Sequence, residues 1–382
     1  MEQKKKIAFV VAIPLTARAF LMDHIAFLQK EYEVHLVANF PTEEDKKEFE
    51  TVGLICHTAP IQRAISVGGD LKGLFALRKL FKMEKFECVH SVTPKAGLLT
   101  ALAGWLARVP NRVHIFTGQV WATKKGAMRM MLKGMDKIIA MLNTRILVDG
   151  EGQRQYLIKE GVLKEKNSIV PAEGSIAGIK LDRYVISDEV RAAERAGLGL
   201  TDDKVVYIFL GRLNHDKGIG ELYEAFNRLV AECPKSVLLF YGMDEEGYDA
   251  KVVDYPNIKK GVNYFFPGLT KTPFNALQAG DVFVLPTWRE GFGVSVLEAQ
   301  ALGLPVITSD AYGVVDASVE GVTALRCGVN DPEGLYKAMK QYYDDANMRK
   351  GHGEAGRKRV VEHFSNEVVS KAWLEIYKEM LG

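Results

Sequence analysis

The sequence predicts an α/β protein built from two doubly wound parallel-sheet domains in tandem, and three observations carry that reading. Short, continuously apolar runs alternate with segments of helical spacing, as expected of strands buried on both faces between crossover helices. The alternation restarts once, after Pro171. The chain has 382 residues, too many for one ordinary core and suited to two domains of average size. Hydrophobic residues at 47% and charged residues at 26% exclude a disordered or fibrous chain.

Residues 7–13 form the first apolar run, read as a buried strand; the presence of Pro14 and the lack of a small-residue cleavage site argue against a signal peptide. Leu21, Ile25 and Leu28 follow at helical spacing, and VHLVA at 34–38 is the next strand. A strand over 87–91 leads into the helix-like AGLLTALAGWLA at 96–107, which is too short to cross a bilayer. Residues 113–116 and 146–148 are further strands, and Ile169 and Val170 end this half. After a charged, alanine-rich stretch, VVYIFL at 205–210 is a strand of the fully buried type. GRLNHDKGI and a helix carrying Leu222, Ala225, Phe226 and Leu229 come next. Strands at 237–240, 263–266, 282–285 and 305–308 complete the second half. Val368, Trp373, Ile376 and Tyr377 repeat helically near the end, and so much aromatic surface predicts a helix that returns to pack on the first domain. The expected division is 1–183, 184–358 and a crossover helix within 359–382.

Four cysteines without a CxxC pair suggest neither a disulfide framework nor a zinc ribbon, and favour a reducing, cytoplasmic setting. The formal net charge of +2 hides an asymmetry: residues 51–150 hold 15 Lys+Arg against 5 Asp+Glu, or +10. Lys72, Arg78, Lys79, Lys82 and Lys85 form one basic cluster; Lys124, Lys125, Arg129, Lys133 and Lys137 form another. Both are interleaved with apolar residues, a pattern suited to an anionic membrane surface through residues 72–85 and 124–137. A helix packed on one side and solvated on the other gives the same pattern. No motif supports nucleic acid as a partner.

Candidate site residues gather after strands of the second domain. Gly211, Arg212 and Lys217 lie in GRLNHDKG, where a parallel sheet presents its ligand loops. Two cations, a glycine turn and a following helix start suit a diphosphate, with Arg212 offering a fork and Lys217 a point charge. GxxxxGK[ST] is missing from the sequence and no GxGxxG follows the first strand, which argues against ATP hydrolysis and ordinary NAD binding. In DVFVLPTWREGFGVSVLEAQ, Glu290 precedes Gly291, Phe292, Gly293 and Val294, and Glu298 follows eight residues later on a helix. Two carboxylates at this spacing suit the hydroxyls of a sugar and a ribose; as a glycosidase pair they would leave the diphosphate loop without a task. In the first domain, HSVTPKAG and TGQVWATKKG supply Thr93, Lys95, Gln119 and Trp121 as a polar set with an aromatic platform for an acceptor. Ser175, within GSIAG, marks a hinge, an anion nest or a tight turn. His90 and His114 read equally as core or edge histidines. No His/Cys/Asp grouping argues for a metal.

These segments resemble the retaining nucleotide-sugar glycosyltransferases of family four, with the GT-B fold. GRLNHDKG resembles the family's diphosphate loop, and REGFGVSVLE carries its EGFG with a second glutamate at the family's spacing. SVTPKAGLL, FTGQVWAT and GSIAGIK resemble the bacterial branch that builds O-antigen, capsule or exopolysaccharide on polyprenyl diphosphate. Two departures stand out: Gln119 lies where the branch commonly has a histidine, and Lys180 where the family usually has aspartate.

The resemblance implies two Rossmann-like domains facing across a cleft, the first binding acceptor and the second donor. It implies that Arg212 and Lys217 hold the diphosphate, that Glu290 binds the donor sugar beside the backbone of 291–293, and that Glu298 accepts the ribose hydroxyls. It further implies a UDP-sugar as donor substrate, no tightly bound cofactor, no required metal, and a peripheral place on the inner face of the cell membrane. A sugar-nucleotide epimerase of the same architecture and a GDP-sugar-dependent transferase are the alternative readings.

Overall fold

The computed structural model describes residues 4–62 and 66–382. Its described residues fall into two compact units, one within Met1–Gly178 and Asn366–Gly382, the other within Ile179–Ser365.

The first unit is a seven-stranded parallel sheet: β1 Lys6–Val10, β2 Glu33–Ala38, β3 Ile55–Thr58, β4 Cys88–Val92, β5 Asn111–Phe116, β6 Arg145–Val148 and β7 Ser168–Ile169. The order is β3-β2-β1-β4-β5-β6-β7, with Ile7 of β1 opposite both Val34 and Cys88. The chain therefore builds outward from β1 in one direction, then crosses back to β4. β1, β2 and β4 are almost wholly buried, which is why they read as largely apolar runs, with His35, His90 and Ser91 as buried polar exceptions. β3 escaped the sequence reading because ICHT sits at the sheet edge with Ile55 exposed, so no apolar run marks it.

The terminal helix Asn366–Leu381 belongs to this unit and packs beside Met22–Leu28. Trp373 is fully buried and stacks on the His24 ring at 4.1 Å and 1°. Tyr377 Oη meets His90 Nδ1 at 2.6 Å. Two such buried aromatic side chains contribute about 2–3 kcal/mol each from area alone.

The second unit has six parallel strands: β8 Val205–Leu210, β9 Ser236–Tyr241, β10 Tyr264–Gly268, β11 Val282–Leu285, β12 Val306–Ser309 and β13 Ala324–Cys327. Their order is β10-β9-β8-β11-β12-β13. β13 was missed in the sequence because ALRC is a short edge strand whose middle residues, Leu325 and Arg326, are only part-buried, giving no continuous apolar run. The units part between Gly178 and Ile179 rather than between 183 and 184, since Ile179 bridges to Ser365 of the second unit. Residues 359–365 also stay with the second unit, because the helix Ala346–His363 runs through Arg359 without a break. Among the described residues no helix is long and apolar enough to cross a membrane. Cys56, Cys88, Cys233 and Cys327 are buried and unbridged.

Candidate active site

In the second sheet β8 and β11 are neighbours, yet the chain visits β9 and β10 between them. The loops leaving their carboxyl ends consequently diverge, opening the crevice where doubly wound sheets bind ligands. The loop after β8 carries Gly211, Arg212 and Lys217; the loop after β11 carries Glu290 to Gly293.

Two glycines draw these loops together. Gly218 has φ +70°, and a Cβ there would lie 2.0 Å from the Pro286 carbonyl oxygen. It caps the helix Ile219–Glu232, while His215–Lys217 form a 3₁₀ turn before it, so Lys217 stands ahead of the helix rather than at its first residue. Gly313 lets the chain after β12 press on the second loop: a Cβ there would be 1.9 Å from the Glu290 carbonyl oxygen. Asp216 reinforces the approach, its carboxylate accepting from Arg289 Nε at 2.7 Å and its carbonyl from Trp288 N and Thr287 Oγ1, both at 2.8 Å.

Lys217 Nζ and Glu290 Oε1 form an ion pair across the two loops, with both side chains mostly buried. A part-buried carboxylate beside a glycine loop demands a partner, and Lys217 is that partner. Arg212 is largely exposed and donates to both oxygens of Glu245, at 3.1 and 3.2 Å. Asn214 Nδ2 holds the same carboxylate at 2.7 Å. Glu245 was not singled out from the sequence, because only the β8–β9 pairing brings the end of YGMDEEG beside the GRLNHDKG loop.

Gly293, at φ +93°, caps the helix Val294–Ala301, on which Glu298 sits. Burial pushes the Glu298 carboxyl above the usual carboxylate range, and a hydrogen bond from Tyr184 Oη at 2.5 Å pulls it back. Phe292 is buried against Phe364, with ring centroids 5.5 Å apart, so its backbone and not its ring remains for a ligand; Val294 is half-buried.

The first-unit candidates are more scattered. Thr93 follows β4 and caps the helix Pro94–Ala107 at φ 76°, ψ 146°, a conformation costly for a β-branched residue, and its buried Oγ1 has no partner among the described residues. Lys95 Nζ pairs with Asp70 Oδ1 at 2.5 Å. Trp121 is 1% exposed and corrects the expectation of an open aromatic platform. Its Nε1 donates to Asp136 Oδ2 at 2.7 Å and its ring stacks on Tyr156, which makes it core. Gln119 is equally buried, accepting from Gln153 Nε2 at 3.2 Å. Ser175 is a tight turn: it is buried at φ 71°, its N–H donates to Asp149 O at 2.6 Å and its hydroxyl to Ala177 O at 2.7 Å. That hydroxyl gives its proton to the backbone.

His90 and His114 are buried core histidines. Burial lowers the imidazole of His114 to about 3 and that of His90 well below its ordinary value. Among the described residues no group of three or more His, Cys, Asp or Glu is placed to hold a metal ion.

Two family models match the chain: "Glycosyl transferases group 1" over residues 190–359 and "Glycosyl transferase 4-like domain" over residues 21–173. The capsular polysaccharide biosynthesis glycosyltransferase CapM of Staphylococcus aureus is 31% identical, with 94% of each chain covered. A UDP-Gal:alpha-D-GlcNAc-diphosphoundecaprenol alpha-1,3-galactosyltransferase of Escherichia coli is 27% identical over 90% of this chain and 89% of its own. Among solved structures, Anabaena HepE in complex with UDP shares the fold at a TM-score of 0.80 and 16% identity, covering 98% of this chain and 100% of its own.

Proposed function

Since this chain belongs to the glycosyltransferases of GT-B fold and is related to the bacterial capsule and exopolysaccharide enzymes, we propose that it moves a hexose or N-acetylhexosamine from a UDP-sugar to a saccharide carried on polyprenyl diphosphate, with retention at the anomeric carbon. The observation that carries this reading is the Lys217–Glu290 pair, set where β8 and β11 part. One member suits a diphosphate and the other a sugar hydroxyl, so the two halves of a nucleotide sugar have adjacent partners. The E. coli relative transfers from UDP-Gal to a diphosphoundecaprenol-linked sugar and the Anabaena protein binds UDP, which supports the donor and acceptor classes.

In this scheme the second unit takes the donor. Arg212, Lys217 and the free N–H groups opening Ile219–Glu232 face the negative charge that builds on the departing diphosphate, which lowers the barrier without a metal. Lys217 leaves Glu290 as phosphate arrives, freeing that carboxylate to accept from the donor sugar. The C1–O bond to the β-phosphate breaks, and the acceptor hydroxyl bonds to C1 on the same face. Its proton passes to the departing phosphate oxygen, so UDP leaves as the bond forms. This retaining, metal-independent chemistry is that of family four. The acceptor is assigned to the first unit, where strained Thr93 has an uncommitted buried hydroxyl.

A cytoplasmic place against the inner membrane face accompanies the proposal. The helices Val67–Glu84 and Gly126–Leu142 flank Pro94–Ala107, and the three together expose Phe75, Met83, Trp105, Met130 and Met141 along with Lys72, Lys79, Lys82 and Lys137. Apolar insertion with basic flanks suits an anionic lipid surface. Arg129 and Lys133 contribute less than their sequence spacing suggests, since both bind Glu160, at 2.8 and 2.6 Å.

Purified enzyme is to be supplied with UDP- and GDP-sugars, with and without polyprenyl-diphosphate-linked saccharide. The expected result is UDP release only when donor and acceptor are both present, with the product's anomeric configuration matching the donor's. No turnover across the panel rejects the reading. Inversion rejects the mechanism, and isomerised donor without transfer identifies an epimerase.

A further inference from the structure

Glu298 has one protein partner that the sequence did not suggest. Tyr184, the sixth residue of the second unit, donates its hydroxyl to Glu298 Oε1 at 2.5 Å, the length of a charge-assisted O–H···O⁻ bond. Among the described residues no protein group donates to Oε2. A carboxylate on a flexible side chain samples several rotamers, and a fixed donor on one oxygen selects one of them, leaving the second oxygen aimed for a ligand.

Tyr184 is itself firmly held. It is 6% exposed, and its ring meets Phe274 edge-on at 6.1 Å and 74°. Arg357 Nη1 donates to the Tyr184 carbonyl at 3.4 Å and also to the carbonyl of Ala301, the last residue of the helix that carries Glu298. One guanidinium thus ties the tyrosine's backbone to the glutamate's helix. The phenol also supplies what burial takes away: it favours the ionised, accepting form of a carboxyl that its surroundings push toward protonation.

We propose that Tyr184 is a positioning residue for nucleotide recognition, holding Glu298 by Oε1 so that Oε2 accepts the ribose hydroxyls of the donor. This rests on the reading of Glu298 as the ribose contact, and the experiment separates the two. UDP and 2′,3′-dideoxy-UDP are titrated calorimetrically into the full chain, as wild type, Y184F, E298A and the double variant Y184F/E298A. The hydroxyl preference, the ratio of the two affinities, is the quantity read.

Wild type is expected to favour UDP by at least tenfold, and E298A to lose that preference. Y184F should weaken UDP five- to tenfold while dideoxy-UDP changes less than twofold. In the E298A background the same substitution should change neither affinity by more than twofold. A merely structural role for Tyr184 predicts equal loss for both nucleotides, so equal loss, or no loss, overturns the Tyr184 proposal alone. If wild type binds neither nucleotide, or E298A keeps the hydroxyl preference, the reading of Glu298 falls and the Tyr184 proposal with it. Y184F removes one oxygen from a packed ring; if its thermal midpoint nevertheless collapses, Tyr184 is a folding residue and the proposal is overturned.

Discussion

His24→Gln probes the first unit where the terminal helix closes it. The His24 ring is wholly buried, with Nε2 donating to the Ile176 carbonyl at 2.7 Å and Nδ1 meeting Ser370 Oγ at 3.0 Å. A carbonyl only accepts, so Nε2 carries the proton and the neutral ring already uses both nitrogens. Burial lowers this imidazole to about 4. The unfolded chain titrates His24 near its ordinary 6.5, so above that pH neither state is protonated. As pH falls below 6.5 the unfolded state takes up a proton that the native state refuses, and stability is lost until the native ring titrates. At 1.36 kcal/mol per pKa unit this amounts to about 2 kcal/mol at pH 5 and about 3 kcal/mol at pH 4.

His114, lowered to about 3, adds about 2 kcal/mol at pH 5 in the same direction. Asp136 opposes them: burial raises its carboxyl to about 6, so between pH 7 and 5 its native form gains a proton worth about 1.4 kcal/mol of stability. Comparing wild type with His24→Gln at each pH removes these common contributions. Glutamine can donate to Ile176 and accept from Ser370 but does not titrate. It forfeits the stack on Trp373 at every pH, which costs stability without altering the slope. Urea unfolding followed by tryptophan fluorescence reads mainly this unit, which holds Trp105, Trp121 and Trp373. The variant should lose about 2 kcal/mol less than wild type between pH 7 and 5. Identical losses would refute the argument that a neutral, buried ring closes this helix.

Lys217→Ala and Glu298→Ala should each weaken donor binding by at least tenfold in calorimetric titration, while Glu290→Ala should bind donor but lose most of its transfer rate; unchanged affinity in the first two contradicts their assignments. Gly218→Ala should destabilise the second unit by at least about 2 kcal/mol in denaturant unfolding, since its Cβ meets the Pro286 carbonyl in a left-handed conformation. Reversing Lys72, Lys79 and Lys82 to glutamate should abolish co-sedimentation with anionic vesicles at physiological salt while leaving UDP binding intact. Co-sedimentation unaffected by the reversal removes the membrane proposal.

Much of the candidate site was legible because its residues are local in sequence. Arg212 and Lys217 lie six and one residues before Gly218, while Glu290 and Glu298 flank one glycine loop, so a single pass along the chain finds them. Glu245 and Tyr184 were not legible. Each meets its partner across a separation of 33 or 114 residues, set by strand order in one case and helix packing in the other. Trp121 and Gln119 show the opposite failure. Polar and aromatic residues after a strand read as ligand contacts, yet Asp136 and Gln153 supply buried partners that make them core.

Periodicity and composition by themselves determined the tandem α/β plan, the strands with unbroken apolar runs and the return of the last helix, because burial on both faces of a parallel sheet leaves a one-dimensional trace. The edge strands β3 and β13 leave no such trace, and only the folded sheets revealed them. Which charges neutralise one another was likewise decided in three dimensions. A lysine's partner depends on which loops diverge at a sheet's switch point, and β8 lies beside β11 although β9 and β10 separate them in sequence.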